Sequence, residues 1–184
     1  FYLPSQVDLT PSSLPAAFQN GFGVIVLGAQ HFTKQIPVSL IIDILKLIKQ
    51  PVVLIGDKHD YKKGEEVSLH LPKQFIFNAA GSFDLLSSAS IIKHGDWVLT
   101  GDTGMMHIAA ALHKKIISVW GSTVPQFGMW PLFPKGVNTK SVIIENTEIH
   151  CRPCSKLGYN QCPKEHFLCM KSLSAKQIAD AIKV

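Results

Sequence analysis

Long apolar runs are missing from this chain of 184 residues. The longest, such as Val24 to Leu27 and Val52 to Ile55, fall far short of the roughly twenty residues that a membrane-spanning helix needs. Charge is sparse as well. Asp, Glu, Lys and Arg make up 17% of the chain and the formal net charge is +5, which calls for no nucleic-acid partner. Cysteine is absent from the first 150 positions, and all four thiols fall within residues 151–169. No internal repeat or low-complexity tract occurs. The usual dinucleotide fingerprint is missing too, because Gly21 and Gly23 precede the first apolar run instead of following it and so cannot approach a pyrophosphate there.

What is present is an alternation of short apolar runs with segments of helical period. Hydrophobic residues make up 46% of the chain, and its length fits one domain with a sizeable core. Strands are expected near 22–28, 51–56, 74–78, 96–100, 115–120 and 141–145, each apolar on both faces as a buried parallel sheet requires. Pro37 opens a helix whose inward stripe is Leu40, Ile41, Ile44, Leu45 and Ile48. Further helices are expected near 59–69, 82–93, 104–113 and 174–183. This is the pattern of an α/β domain with a doubly wound, Rossmann-like parallel sheet, whose ligand lies beyond the carboxyl ends of the strands. The Pro- and Ser-rich opening, residues 1–20, reads as an interdomain linker, and residues 21–184 as the ligand-binding domain.

The most informative stretch is Gly101-Asp102-Thr103-Gly104-Met105-Met106-His107, between the apolar run Trp97 to Leu99 and the helix-forming run Ile108 to Leu112. It reads as strand, glycine turn and helix start. Two glycines allow a sharp turn close to a ligand, and Thr103 can cap the new helix. The first amides of such a helix and the positive end of its dipole favour an anion, so a phosphate or diphosphate is expected at Thr103 and Gly104. A simple capping role for the tripeptide is the alternative. With Met105, Ile108, Ala109 and Leu112 as the buried stripe, His107 points above the turn.

This segment, followed by Val119-Trp120-Gly121-Ser122-Thr123 and Pro125, resembles glycosyltransferase family nine, the ADP-heptose:lipopolysaccharide heptosyltransferases. Gly28-Ala29 with Lys34 and Pro37 resembles that family's motif after the first strand of its C-terminal domain, and Ile55-Gly56 with Asp60 the turn after the second. The tail Cys151-Arg152-Pro153-Cys154, Cys162 and Cys169-Met170 resembles a cysteine-bearing segment of some members. The resemblance runs from about Phe22 to the end. It departs at Gln35-Ile36, where many members carry Trp, and at Ser122, where Pro is frequent.

The resemblance implies the C-terminal half of a GT-B glycosyltransferase, the half that binds the nucleotide-sugar donor. It implies an inverting enzyme transferring heptose from ADP-heptose to the lipopolysaccharide inner core, in the cytoplasm at the inner face of the bacterial inner membrane, with peripheral membrane contact. The acceptor site and general base would come from the N-terminal half, leaving no catalytic residue in this chain. The donor-binding residues would be Lys34, Asp60, Asp102, Thr103, Gly104, Met105, His107, Gly121, Ser122 and Thr123. Lys34 would neutralise a phosphate, Asp60 would accept from ribose hydroxyls or cap its helix, and Gly121 to Trp130 would wall the sugar or base pocket. A Rossmann-type domain for other nucleotide chemistry, or a non-catalytic family member, is the alternative. No cofactor is expected. Cys151, Cys154, Cys162 and Cys169 are the metal candidates, as a four-thiolate zinc knuckle. Their spacing departs from a zinc ribbon and the core is large, so reduced thiols are the expectation.

Overall fold

The computed structural model describes residues 3–4, 13–134, 136 and 141–183. Its centre is a sheet of six parallel strands: β1 (Gly23–Val26), β2 (Val52–Ile55), β3 (Ile76–Asn78), β4 (Trp97–Thr100), β5 (Lys115–Trp120) and β6 (Ser141–Glu145). They lie in the order β3-β2-β1-β4-β5-β6. Parallel neighbours need crossovers, and helices supply those from β1 through β5: α1 (Val38–Leu45), α2 (Tyr61–Ser68), α3 (Leu85–His94) and α4 (Gly104–Ala111). Two more, α5 (Leu168–Lys171) and α6 (Ala175–Lys183), close the chain.

Apolar runs without alternation bury both faces of the sheet. Ile25, Leu54, Leu99 and Ile117 face a core shared with Leu40, Ile41 and Ile44 of α1 and Ile178 and Ile182 of α6. The intervening Val24, Val53, Val98 and Ile116 face a second core with Ile91 and Ile92 of α3 and Met106, Ala109 and Ala110 of α4. The chain order reverses between β1 and β4. Connections leave these neighbours toward opposite faces, and a crevice opens beyond their carboxyl ends.

Burial on both faces holds for the inner strands and not for the outermost. Ser141 and Ile143 of β6 are exposed, since an edge strand is covered less completely. On α4 the buried stripe is Met106, Ala109 and Ala110, one step from the expected one. Met105 and Ile108 are only partly buried. Much of the opening segment 1–20 lies outside the described residues, but Leu14 and Phe18 are packed into the second core. Phe18 meets Phe77 with ring centroids 6.0 Å apart. The short helix α5 has no counterpart in the sequence reading, because four residues are too few to establish a helical period.

Gly23 pairs in register with Trp97, and a Cβ added at Gly23 would run into the indole. That indole is buried and donates from Nε1 to Gln50 Oε1 at 2.7 Å. Gly23→Ala is therefore expected to destabilise the domain by about 1–3 kcal/mol through overpacking, read as a lower melting temperature; an unchanged melt would show that Trp97 moves aside freely.

Candidate functional site

A cleft of about 840 Å³ opens at the crevice between β1 and β4. Its walls come from the loops that follow β1, β2, β3 and β4. Gly21 and Gly23 lie at the opposite, amino end of β1.

At the carboxyl end of β4 the chain turns through Gly101 and Asp102 into α4. Thr103 takes an extended conformation, with φ −141° and ψ 164°, and its hydroxyl accepts from Met106 N. Thr100 Oγ1 lies 3.0 Å from Thr103 Oγ1 and steadies it. A Cβ at Gly104 would meet nothing within 4 Å, so the first turn of α4 opens directly on the cleft. Met105, His107 and Ile108 extend this wall. First-turn amides with the positive end of the dipole make this the anion-attracting part of the site.

Opposite stands Lys34, on the single 3-10 turn Phe32–Lys34 after β1. Its Nζ lies 2.8 Å from Asp102 Oδ2, with only 12% and 5% of the two side chains exposed. Thr123 Oγ1 donates to the same Oδ2 at 2.9 Å. The lysine expected to meet a phosphate directly is thus already paired with the carboxylate beside the helix cap. An arriving anion would share its charge.

Asp60 occupies the wall after β2, 4% exposed. Although it stands at the N-cap position of α2, its side chain makes no cap bond there. Its Oδ1 accepts from Lys63 Nζ at 2.7 Å and its Oδ2 from Asp57 N at 3.2 Å. Lys63 also donates to Gln35 Oε1 at 2.8 Å, and Gln35 Nε2 to Ala29 O at 2.9 Å. This chain of bonds joins the loops after β1 and β2. A Cβ at Gly28 or Gly56 would collide with the Asp60 carboxylate, which explains glycine at both positions.

Gly121, Ser122 and Thr123 are buried and stand behind the cleft, not in its wall. Gly121 packs against Met170, and Ser122 Oγ donates to Thr33 Oγ1 at 2.8 Å. Thr123 reaches the site only through Asp102. Among the described residues none of 121–130 lines the cleft, in contrast to the expected wall. The wall comes instead from Phe83, Asp84, Leu85 and Ser88, with His59 and Gln30. The place of Phe83 to Ser88 after β3, of His59 after β2 and of Gln30 after β1 was the available signal, since every strand's carboxyl end contributes to such a crevice. Asp84 caps α3 by accepting from Ser87 N at 2.7 Å, and that bond holds its carboxyl below the usual value.

The four cysteines are free and gather on one loop and on α5. Burial first, and then the neighbouring Cys151 and Cys162, raise the Cys154 thiol. Burial and then Cys154 push Cys169 up to about 11, with Arg152 opposing. His166 accepts from Leu168 N at Nδ1 and brings Nε2 to 3.8 Å from Cys151 Sγ. Among the described residues no group of three or more His, Cys, Asp or Glu side chains stands in metal-holding geometry. No described helix is long and apolar enough to cross a membrane.

Alkylation proceeds through the thiolate, so Cys169 should resist iodoacetamide at pH 8 and gain reactivity with rising pH toward about 11. Mass-spectrometric labelling of the folded chain measures this. Labelling as fast as in denaturant would contradict the burial.

The sequence pattern described as glycosyltransferase family 9 (heptosyltransferase) matches residues 8–164. The chain is 36% identical over 114 residues to lipooligosaccharide heptosyltransferase 2 of Haemophilus influenzae, covering 60% of this chain and 32% of that protein. Its fold is similar to that of E. coli ADP-heptose lps heptosyltransferase II, with TM-score 0.68, 20% identity, and coverage of 89% of this chain and 45% of the other. It is also similar to the iron-containing dodecameric glycosyltransferase TibC from enterotoxigenic E. coli H10407, with TM-score 0.60, 16% identity and coverage of 89% and 44%. The chain thus spans about a third of the length of that curated relative and under half of each solved structure.

Proposed function

The chain belongs to glycosyltransferase family 9, the heptosyltransferases, and from that premise we propose that its cleft binds the nucleoside diphosphate of a sugar donor, ADP-heptose, for heptosyl transfer to a lipopolysaccharide core. The observation that carries this reading is the capped first turn of α4, Thr103 and Gly104, facing Lys34 across the switch point of the sheet. The diphosphate lies on that turn. The nucleoside extends along the wall toward Asp60 and Phe83, with Asp60 accepting from ribose hydroxyls, and His107 reaches a phosphate or sugar hydroxyl.

Transfer then needs no covalent nucleophile from this chain. The bond between the anomeric carbon and the β-phosphate oxygen breaks, its electron pair passes to that oxygen, and an acceptor hydroxyl attacks from the opposite side. The new C–O bond inverts the centre, and the acceptor's proton passes to a base on the part of the relatives beyond this match. Amide groups of the α4 turn and the Lys34 ammonium stand where the leaving oxygen gains charge, and their preorganisation is the contribution to catalysis. His107 lies on this leaving-group side and is no candidate for that base. The work would take place at the cytoplasmic face of the inner membrane, where the acceptor is anchored.

The cysteines serve the loop as reduced thiols. The four thiols depart in spacing from a zinc ribbon, and a core of this size folds without a metal to organise it. Near-stoichiometric metal by elemental analysis, or a melting temperature that falls on chelation, would reverse this part of the reading.

Calorimetric titration against ADP, UDP, GDP and NAD tests the donor assignment. Preference for ADP is the expected result, and tight binding to NAD alone would refute it. Lys34→Ala and Thr103→Pro should each weaken ADP binding, the former by about 1.5–3 kcal/mol for loss of a charge-assisted contact. Equal affinity in both variants would remove the phosphate from this turn. The 184-residue chain by itself is expected to bind donor without transferring sugar, and product from the isolated chain would place a base within it.

A further inference from the structure

Between β6 and α5 the chain runs from Asn146 to Phe167 without helix or strand. So long an irregular segment inside a compact domain calls for a task of its own. Its first half grips the backbone behind the cleft. The Arg152 guanidinium, 4% exposed, donates from Nε to Gly121 O, from Nη2 to Thr123 O at 3.0 Å and to Glu145 Oε2 at 2.7 Å, and from Nη1 to Asn146 O at 2.7 Å. Cys154 N donates to Ser122 O at 2.9 Å. Three successive carbonyls, Gly121 to Thr123, are thereby held by residues 152–154.

The second half of the strap meets Thr33, which is 1% exposed. Thr33 Oγ1 accepts from Tyr159 N at 2.8 Å and from Ser122 Oγ at 2.8 Å, and donates to Tyr159 O at 3.2 Å. One hydroxyl offers one donor and two acceptor sites. All three are in use. Thr33 N adds a bond to Tyr159 O at 3.1 Å, and Thr33 O accepts from Ser122 N at 3.4 Å. The next residue is Lys34, whose carbonyl lies so close to Gly101 that a Cβ there would collide with it. Lys34 and Thr123 then converge on a single oxygen, Asp102 Oδ2.

We propose that Thr33 is a positioning residue for donor recognition, the point at which the strap 152–159 fixes Lys34 on Asp102 at the phosphate end of the cleft. The proposal rests on the reading of that cleft as a nucleoside diphosphate site. Thr33 itself does not line the cleft and acts through its neighbour. A small misplacement of a positioning group costs far more in a preorganised site than the lost bond alone suggests.

Thr33→Val keeps shape and removes the hydroxyl, Thr33→Ser keeps the hydroxyl, and Gly158→Ala displaces the strap from outside. Gly158 has φ +106°, and its Cβ would lie 2.9 Å from His31 Cβ and 3.3 Å from Thr33 Oγ1. Two readouts are taken on folded protein, well below each melting temperature. One is the acylation rate of Lys34 relative to the exposed Lys176; the other is ADP affinity. Thr33→Val and Gly158→Ala should raise the Lys34 rate several-fold and weaken ADP binding by about tenfold, while Thr33→Ser stays within about twofold of the parent.

A lower melting temperature with unchanged Lys34 reactivity would make the bonds merely structural and overturn the proposal. So would loss of ADP binding in Thr33→Ser equal to that in Thr33→Val. Were the parent to bind no ADP while Lys34 reactivity still rose in Thr33→Val and Gly158→Ala, the donor reading would fall and the fixing of Lys34 by Thr33 would stand. Should Thr33→Val fail to fold, Gly158→Ala decides alone by the same two readouts.

Discussion

A carboxylate taken out of water must find partners or give up its charge, and the Asp102 carboxylate finds two on one oxygen. Much of the site's form follows from that demand. The loop after β1 must deliver Lys34, the turn after β4 must deliver Asp102, and the end of β5 must deliver Thr123. Three loops from three adjacent strands are thereby locked to each other at the place where the sheet reverses its winding. Such a pair adds little to stability, because both ions have left water to form it. Its value lies in fixing where a positive and a negative group stand relative to the first turn of α4.

The sheet and the site impose different requirements on the sequence, and they were legible to different degrees. Short, β-branched apolar runs bounded by Pro or Gly, such as Val52 to Ile55, read as strands covered on both sides, and each inner strand sits within its expected range. The threonine cap of α4 was equally plain, because it depends on residues within one turn of each other. What stayed hidden depends on partners far apart in the chain. Thr123 and Lys34 share an oxygen across almost ninety positions, about half the chain, and no local pattern announces such a meeting. The segment 121–130, with two glycines, one proline and two aromatics, has the composition of a binding loop, yet tertiary packing turns its first three residues inward. The wall after β3 was missed for the opposite reason: Phe83 to Ser88 look like an ordinary helix start.

Family membership and geometry support each other without repeating the same information. The family match spans residues 8–164 and identifies a lineage. It is silent about why Gly28 and Gly56 are glycines or why Thr33 is buried. Steric contact with Asp60 accounts for the glycines, and the bonds to Tyr159 and Ser122 for the burial of Thr33. The irregular segment 146–167, which holds Thr33 through Tyr159, also carries Cys151, Cys154 and Cys162, so three of the four cysteines lie on the segment that braces the Lys34 end of the cleft.

The bonds from Lys63 to Asp60 and to Gln35 tie the loops after β1 and β2 before any ligand arrives. Little chain order then remains to be lost on binding. Entry into this part of the cleft then needs no reordering of those two loops, so the cost of arranging this wall is met when the domain folds and not when a ligand arrives.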